Sequence, residues 1–311
     1  MDKAQQIALV RQCLAHRYAG DFHRLVAVRE FLERACARHI ELGLGDTDLV
    51  HKLCSGDEHR YWQQMSEILL GHELLEAPLA LTPSHEGPDF LVARNDAKLW
   101  IEVICPRPQG IPAEWLERPS GKAISMPHEA MLLRWTAAIK EKAEKLLGSA
   151  ATGAPGYVAK QVVGETDTYV IAVNARLLRG PHFASVTGIS QYPFAAEAVF
   201  AIGPYAVNIS RETLEIVDSG HQHRPMIRKP SGAEVPAYTF LDPRFRPISA
   251  IWATDIDESW VIGNTKVLAV IHNPQAKNPL PLGVLPAYEE FVATLNGDKY
   301  VLERRPGRLA R

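Results

Sequence analysis

The sequence predicts an α/β (α+β) chain: a mixed central sheet flanked by helices, with a helical region before it and an α/β extension after it. Three observations predict this. Two apolar runs, 90–93 and 99–104, flank Arg94-Asn95-Asp96-Ala97 and read as a β-hairpin, because Asn and Asp tolerate the backbone of tight hairpin turns. The stretch HEAMLLRWTAAIKEKAEKLLG keeps a helical apolar period over 128–147. Residues 168–173, Thr-Tyr-Val-Ile-Ala-Val, read as a buried strand.

The other elements follow in order. Ile7, Val10 and Leu14, then Leu25, Val28, Phe31, Leu32 and Ala35, recur at helical spacing, with a break at Gly20-Asp21. Gly43 to Asp46 forms a turn, and Asp46 or Thr47 caps a short helix. Trp62, Met65, Ile68 and Leu69 mark a helix over 58–75. Pro78 and Pro83 impose an extended path, and 105–127 is a proline-rich loop. Short strands are expected near 197–202, 205–210, 248–254 and 266–272. The basic tail LERRPGRLAR is expected to fray.

The totals narrow the function classes. The chain has 311 residues and a formal net charge of -2, so it is no polycation, and nucleic-acid contact would need local basic patches. Cysteines at 13, 36, 54 and 105 form no CxxC pair and read as reduced thiols of a cytoplasmic protein. The N-terminus lacks a signal-peptide apolar core, and no run approaches the roughly 20 apolar residues that span a bilayer. No GxGxxG, P-loop, GxSxG or HExxH motif is present.

Counted outward from the turn Asn95-Asp96, residue pairs sum to 191, which places Asp89 opposite Glu102. Two like charges so placed repel, and a divalent cation such as Mg²⁺, which takes hard oxygen ligands, is the simplest compensation. Strand alternation puts Trp100, Glu102 and Ile104 on one face and Leu99, Ile101 and Val103 on the other.

Gly-Pro-Asp89-Phe, a short hairpin, then Trp-Ile-Glu102-Val resembles the PD-(D/E)xK nuclease superfamily, the restriction-endonuclease-like fold. Its core order, α-β-β-β-α-β, matches the expected elements of 58–175 except that one strand before the second helix is not evident. The resemblance implies a nuclease-like core at 58–175, a helical region at 1–57 and a C-terminal extension, 176–311, packed on the core. It implies a metal-dependent phosphodiesterase acting on nucleic acid, DNA first, with Mg²⁺ or Mn²⁺ as cofactor. Asp89 and Glu102 carry over as metal ligands, and Glu67 or Glu73 from the preceding helix as a further acid, Glu67 being better placed. A homodimer is compatible with this reading.

The sequence departs from the motif at one point: the family's lysine belongs two residues after the acid, where Ile104 stands. A replacement is sought on the next helix. With Trp135 at zero and roughly 100° per residue, Lys142 falls near -20°, inside the apolar stripe, whereas Lys140 and Lys145 fall near 140° and -80°, off it. Lys142 is therefore expected to reach Asp89 and Glu102. Arg134 flanks that face, and Lys122 in the loop is a second candidate cation; both are expected near a phosphate. If Lys142 does not complete the site, the alternative is an inactive nuclease fold that binds nucleic acid or protein. His51, Cys54, Asp57 and His59 match no zinc pattern, and His221, His223, Arg224, Arg228 and Lys229 read as a solvated loop. His272-Asn273-Pro274 closes an apolar strand and leads into an extended loop.

Overall fold

The computed structural model describes residues 1–84, 86–94, 97–117, 121, 123–296 and 299–310. Four helices come first: α1 (Lys3–Arg17), α2 (His23–Glu41), α3 (Leu49–Cys54) and α4 (Glu58–Glu76). Asp2 caps α1, accepting from the Gln5 N–H at 2.8 Å. Gly20, at φ +123°, makes the break between α1 and α2. The expected cap of α3 is corrected. Asp48 holds the cap position without a side-chain bond, while Asp46 accepts from the Asp48 N–H at 3.0 Å and pairs with Lys52. An Asp that bonds the backbone two residues ahead makes a turn instead of capping the helix.

The strands β1 (Leu81–Thr82), β2 (Phe90–Arg94) and β3 (Ala97–Ile104) follow, then α5 (Ala113–Leu116), α6 (His128–Leu147) and β4 (Thr168–Asn174). The hairpin register is Arg94 with Ala97 through Phe90 with Ile101, as the count about the turn requires; Asn95 and Asp96 lie outside the described residues. The strand not evident in the sequence is β1, two residues paired antiparallel with β2. The element order from α4 to β4 is thus α-β-β-β-α-β once the single-turn α5 is set aside.

After β4 come α7 (Phe194–Phe200), β5 (Ile202–Ile209), β6 (Ile216–His223), β7 (Met226–Arg228), β8 (Glu234–Pro236), β9 (Ala250–Asp255), β10 (Val267–His272), β11 (Glu289–Asn296) and β12 (Lys299–Pro306). Eight strands form one sheet in the order β1-β2-β3-β4-β9-β10-β11-β12. β4 runs parallel to both β3 and β9, so residues beyond 250 extend the sheet that 81–174 begins. Two expectations are corrected here. The expected strand at 197–202 is mainly the helix α7, whose residues are all buried, so it has no polar face to betray its period. The tail is not frayed: Lys299–Pro306 pairs along β11 as an edge strand, and charges such as Glu303, Arg304 and Arg305 suit an edge.

Both faces of the sheet are covered. Leu99, Ile101, Val103, Val170 and Trp252 pack with Leu32, Met65 and Leu69 of the N-terminal helices. Trp100, Ile104, Ile171, Val173 and Ile251 pack with Trp135 and Ile139 of α6 and Phe194 of α7. The consequence for the site is direct: Glu102, between Trp100 and Ile104, projects into a buried layer under α6.

The cysteine reading is also corrected. Cys13 and Cys54 form a disulfide, with Cα atoms 5.6 Å apart, because α1 packs on α3; Cys36 and Cys105 are free and buried. The cysteines therefore no longer argue for a reducing compartment. Among the described residues, no helix is long and apolar enough to cross a membrane. Reduction is expected to lower the unfolding free energy by up to about 4 kcal/mol, the loop-closure value for a 41-residue separation. Urea unfolding with and without dithiothreitol checks this; coincident curves would show that the bridge contributes nothing.

Candidate active site at Asp89, Glu102 and Lys142

β3 delivers Glu102 in mid-strand, with its side chain 1 % exposed. A carboxylate so enclosed needs a cation, and α6 supplies two. Lys142 Nζ and Lys145 Nζ each stand 2.8 Å from the same oxygen, Glu102 Oε1. Lys142 is itself buried, as its place in the apolar stripe requires, while Lys145 is about half exposed. Lys145 leaves the helix off the apolar stripe, yet its four-carbon stem brings the ammonium back along the helix surface. Burial alone would lower the Lys145 pKa; the Glu102 carboxylate more than offsets this and raises it.

Asp89 stands where the β2–β3 pairing ends. Phe90 pairs with Ile101, so the next step outward is Asp89 opposite Glu102. Asp89 does not continue the ladder with its backbone. Its Oδ2 accepts the Val103 N–H at 2.6 Å, so a side chain takes over where the ladder stops. Removal from water, then the carboxylates of Glu67 and Glu102, push the Asp89 pKa well above the usual range; Lys142 and the Val103 N–H pull the other way.

Glu67 comes from α4. Its two oxygens accept from Gln63 Nε2 at 3.0 Å and Gln64 Nε2 at 2.8 Å. Burial raises its pKa, opposed by Gln63 and by Lys52 and Lys142. Gln63 straps α4 to the end of β3, donating to the Val103 carbonyl at 3.3 Å and accepting from the Cys105 N–H at 2.9 Å. The alternative, Glu73, is elsewhere: both of its oxygens accept from Lys266 Nζ at 2.7 Å.

Tyr157 closes the far side. Its hydroxyl lies 3.3 Å from the Gly87 carbonyl and 3.4 Å from Glu102 Oε2. Burial, Glu102 and Asp89 all raise its pKa, so it stays a hydrogen-bond donor at neutral pH. Gly87, at φ +118°, has no room for a side chain, since a Cβ there would come within 2.6 Å of Val162. The segment after α6 therefore presses directly on the turn that presents Asp89.

Among the sequence candidates, Asp89, Glu102, Glu67 and Lys142 act on one another electrostatically, and Lys142 touches Glu102. Arg134 is half-buried, with its Nε unpartnered among the described residues and Glu141 as its nearest charge influence. Among the described residues, no hydrogen bond or ion pair links it to the carboxylates. Lys122 lies outside the described residues. His221 and His223 sit in β6, not in a loop, and Arg224 and Arg228 pair with Glu129 and Glu234. Sequence reasoning missed Lys145, Tyr157 and Gln63. Only Gln63 left a signal, lying one helical turn before Glu67.

Both ammoniums, Lys142 and Lys145, pair with Glu102, and among the described residues neither Asp89 nor Glu67 has an ion-pair partner. In kind, these oxygens suit a hard divalent ion. Among the described residues, no group of three or more His, Cys, Asp or Glu side chains is placed to hold a metal. Mg²⁺ commonly takes only one or two carboxylates and completes its shell with water and phosphate oxygens. No family model, curated protein or solved structure matches the chain.

Proposed function

We propose that the chain is a metal-dependent phosphodiesterase of the restriction-endonuclease-like type, acting on nucleic acid, DNA first. The observation that carries this reading is the Lys142–Glu102 contact beside Asp89, a part-buried carboxyl that accepts the Val103 N–H and has no ion-pair partner among the described residues. The residue the motif lacks at Ile104 has a counterpart on α6. The order α-β-β-β-α-β around the hairpin supports the same reading.

Mg²⁺ held by Asp89 with Glu67 or Glu102 would supply Lewis acidity at a phosphate oxygen and a more acidic water. The chain's own residues supply the rest. Lys142 and Lys145 hold Glu102 in place, and they offset negative charge that a phosphate gains as water adds to phosphorus and the ester oxygen leaves. Gln63 holds the end of β3 against α4, and Tyr157 keeps Glu102 from turning away.

The test is cleavage of supercoiled plasmid and single-stranded DNA with Mg²⁺ or Mn²⁺. The wild type is expected to cleave only with metal, and Glu102→Gln to lose about 100-fold or more. Cleavage unchanged in Glu102→Gln would sink the site. A second reading has its own observation: Glu102 Oε1 is held by two lysines, an arrangement that also suits a fixed structural ion cluster. DNA binding without metal-dependent cleavage would favour that reading, an inactive nuclease fold used for binding.

A further inference from the structure

Away from this site, β5 and β6 form a two-stranded sheet that joins no other strand among the described residues. An isolated hairpin is marginal in water unless a hydrophobic face is covered. Here it is not covered. Tyr205, Val207 and Ile209 alternate onto one face and are 56 %, 47 % and 56 % exposed. Ile216, paired with Ile209, is 68 % exposed, and Leu214 at the tip is 79 % exposed. Ser219 and His221 lie on the same face, across from Val207 and Tyr205, and Tyr205 donates to the Ser219 hydroxyl at 3.0 Å; the opposite face carries Ala206, Asn208, Asp218 and Gly220. The hairpin is rooted where Arg224 pairs with Glu129 and His221 packs on Tyr192.

We propose that this hairpin is an arm through which two copies of the chain associate, apolar face on apolar face, about a two-fold axis. Charge argues against nucleic acid as the occupant. Between Ile202 and His223 one arginine stands against three carboxylates, Glu212, Glu215 and Asp218, and a phosphate backbone would be repelled. The carboxylates lie in the turn and on the opposite face, so the aliphatic face meets its own copy without a like-charge clash. Self-complementarity of one patch is what a two-fold dimer requires. The area is sufficient: five large side chains and the adjoining Val217, itself 70 % exposed, offer on the order of 500 Å² per copy, or about 1,000 Å² for the pair, where specific interfaces begin.

The inference is independent of the proposed activity, and its test is the mass of the full-length chain in solution. Sedimentation equilibrium from micromolar to about 100 µM is expected to show a monomer–dimer equilibrium for the wild type. Val207→Glu and, separately, Ile216→Asp are expected to be monomeric over that range. Both positions are exposed, so far-UV circular dichroism and the melting temperature of each monomeric variant should match those of dissociated wild type. A wild type that stays monomeric throughout, or dimers that persist in both variants, overturns the proposal. Retained dimerisation in one variant, with folding intact, overturns the face assigned to it.

Discussion

Glu102→Ala is expected to cost about 3–5 kcal/mol of stability, the cost of breaking a buried ion pair by removing one partner. Lys145 can turn its ammonium to water, but Lys142 is buried and would lose the carboxylate it touches. Lys142→Met should cost less, since Glu102 retains Lys145 at 2.8 Å. The double variant Glu102→Leu/Lys142→Met should recover much of the loss, because a well-packed apolar pair can replace a buried ion pair at little cost. Urea denaturation midpoints at constant slope give all four corners of the cycle. A Glu102→Ala variant within about 1 kcal/mol of wild type would mean that the contact is not formed in solution.

Asp89→Asn is expected to do the opposite to stability. The folded protein holds the Asp89 proton more tightly than the unfolded chain does, because burial, Glu67 and Glu102 raise its pKa. A free aspartate ionises near pH 3.9. Above about that pH the unfolded state gains by ionising first, so wild-type stability falls as pH rises through the raised folded pKa. Asparagine removes that loss while keeping an oxygen for the Val103 N–H. The variant should therefore match wild type near pH 4 and exceed it at neutral pH, by about 1 kcal/mol, a size usual where a functional site opposes stability. Thermal unfolding across this pH range decides it. A variant less stable than wild type at pH 7 would show that Asp89 serves the fold and is not a carboxylate awaiting a cation.

The parts legible in the sequence are those that local chemistry determines. The β2–β3 register follows from side-chain alternation and a two-residue turn, and with it the placing of Asp89 opposite Glu102. The long amphipathic period of α6 gave its bounds and put Lys142 under the apolar stripe. What was missed depends on contacts distant in sequence or on cancelled patterns. β1 is two residues between prolines, too short to carry alternation. α7 is buried all round; β11 opens on two glutamates, one of them buried against His272, and β12 carries the charges of an edge, which masks the period of both. Cys13 and Cys54 are 41 residues apart and meet only because α1 packs on α3. A helical wheel aims side chains radially, so it cannot show Lys145 bending back, and Tyr157 reaches Glu102 only through the path of the chain after Gly148.

On this reading Asp89 and its neighbouring carboxylates form a site completed by a divalent cation. Calorimetric titration of the purified chain with Mn²⁺ at neutral pH tests it without any assumption about substrate. Saturable binding is expected that competes with Mg²⁺ and is lost in Asp89→Asn, while Glu73→Gln, at the separate Lys266 pair, leaves it unchanged. Absence of binding to the wild type, or equal binding to Asp89→Asn, would contradict it.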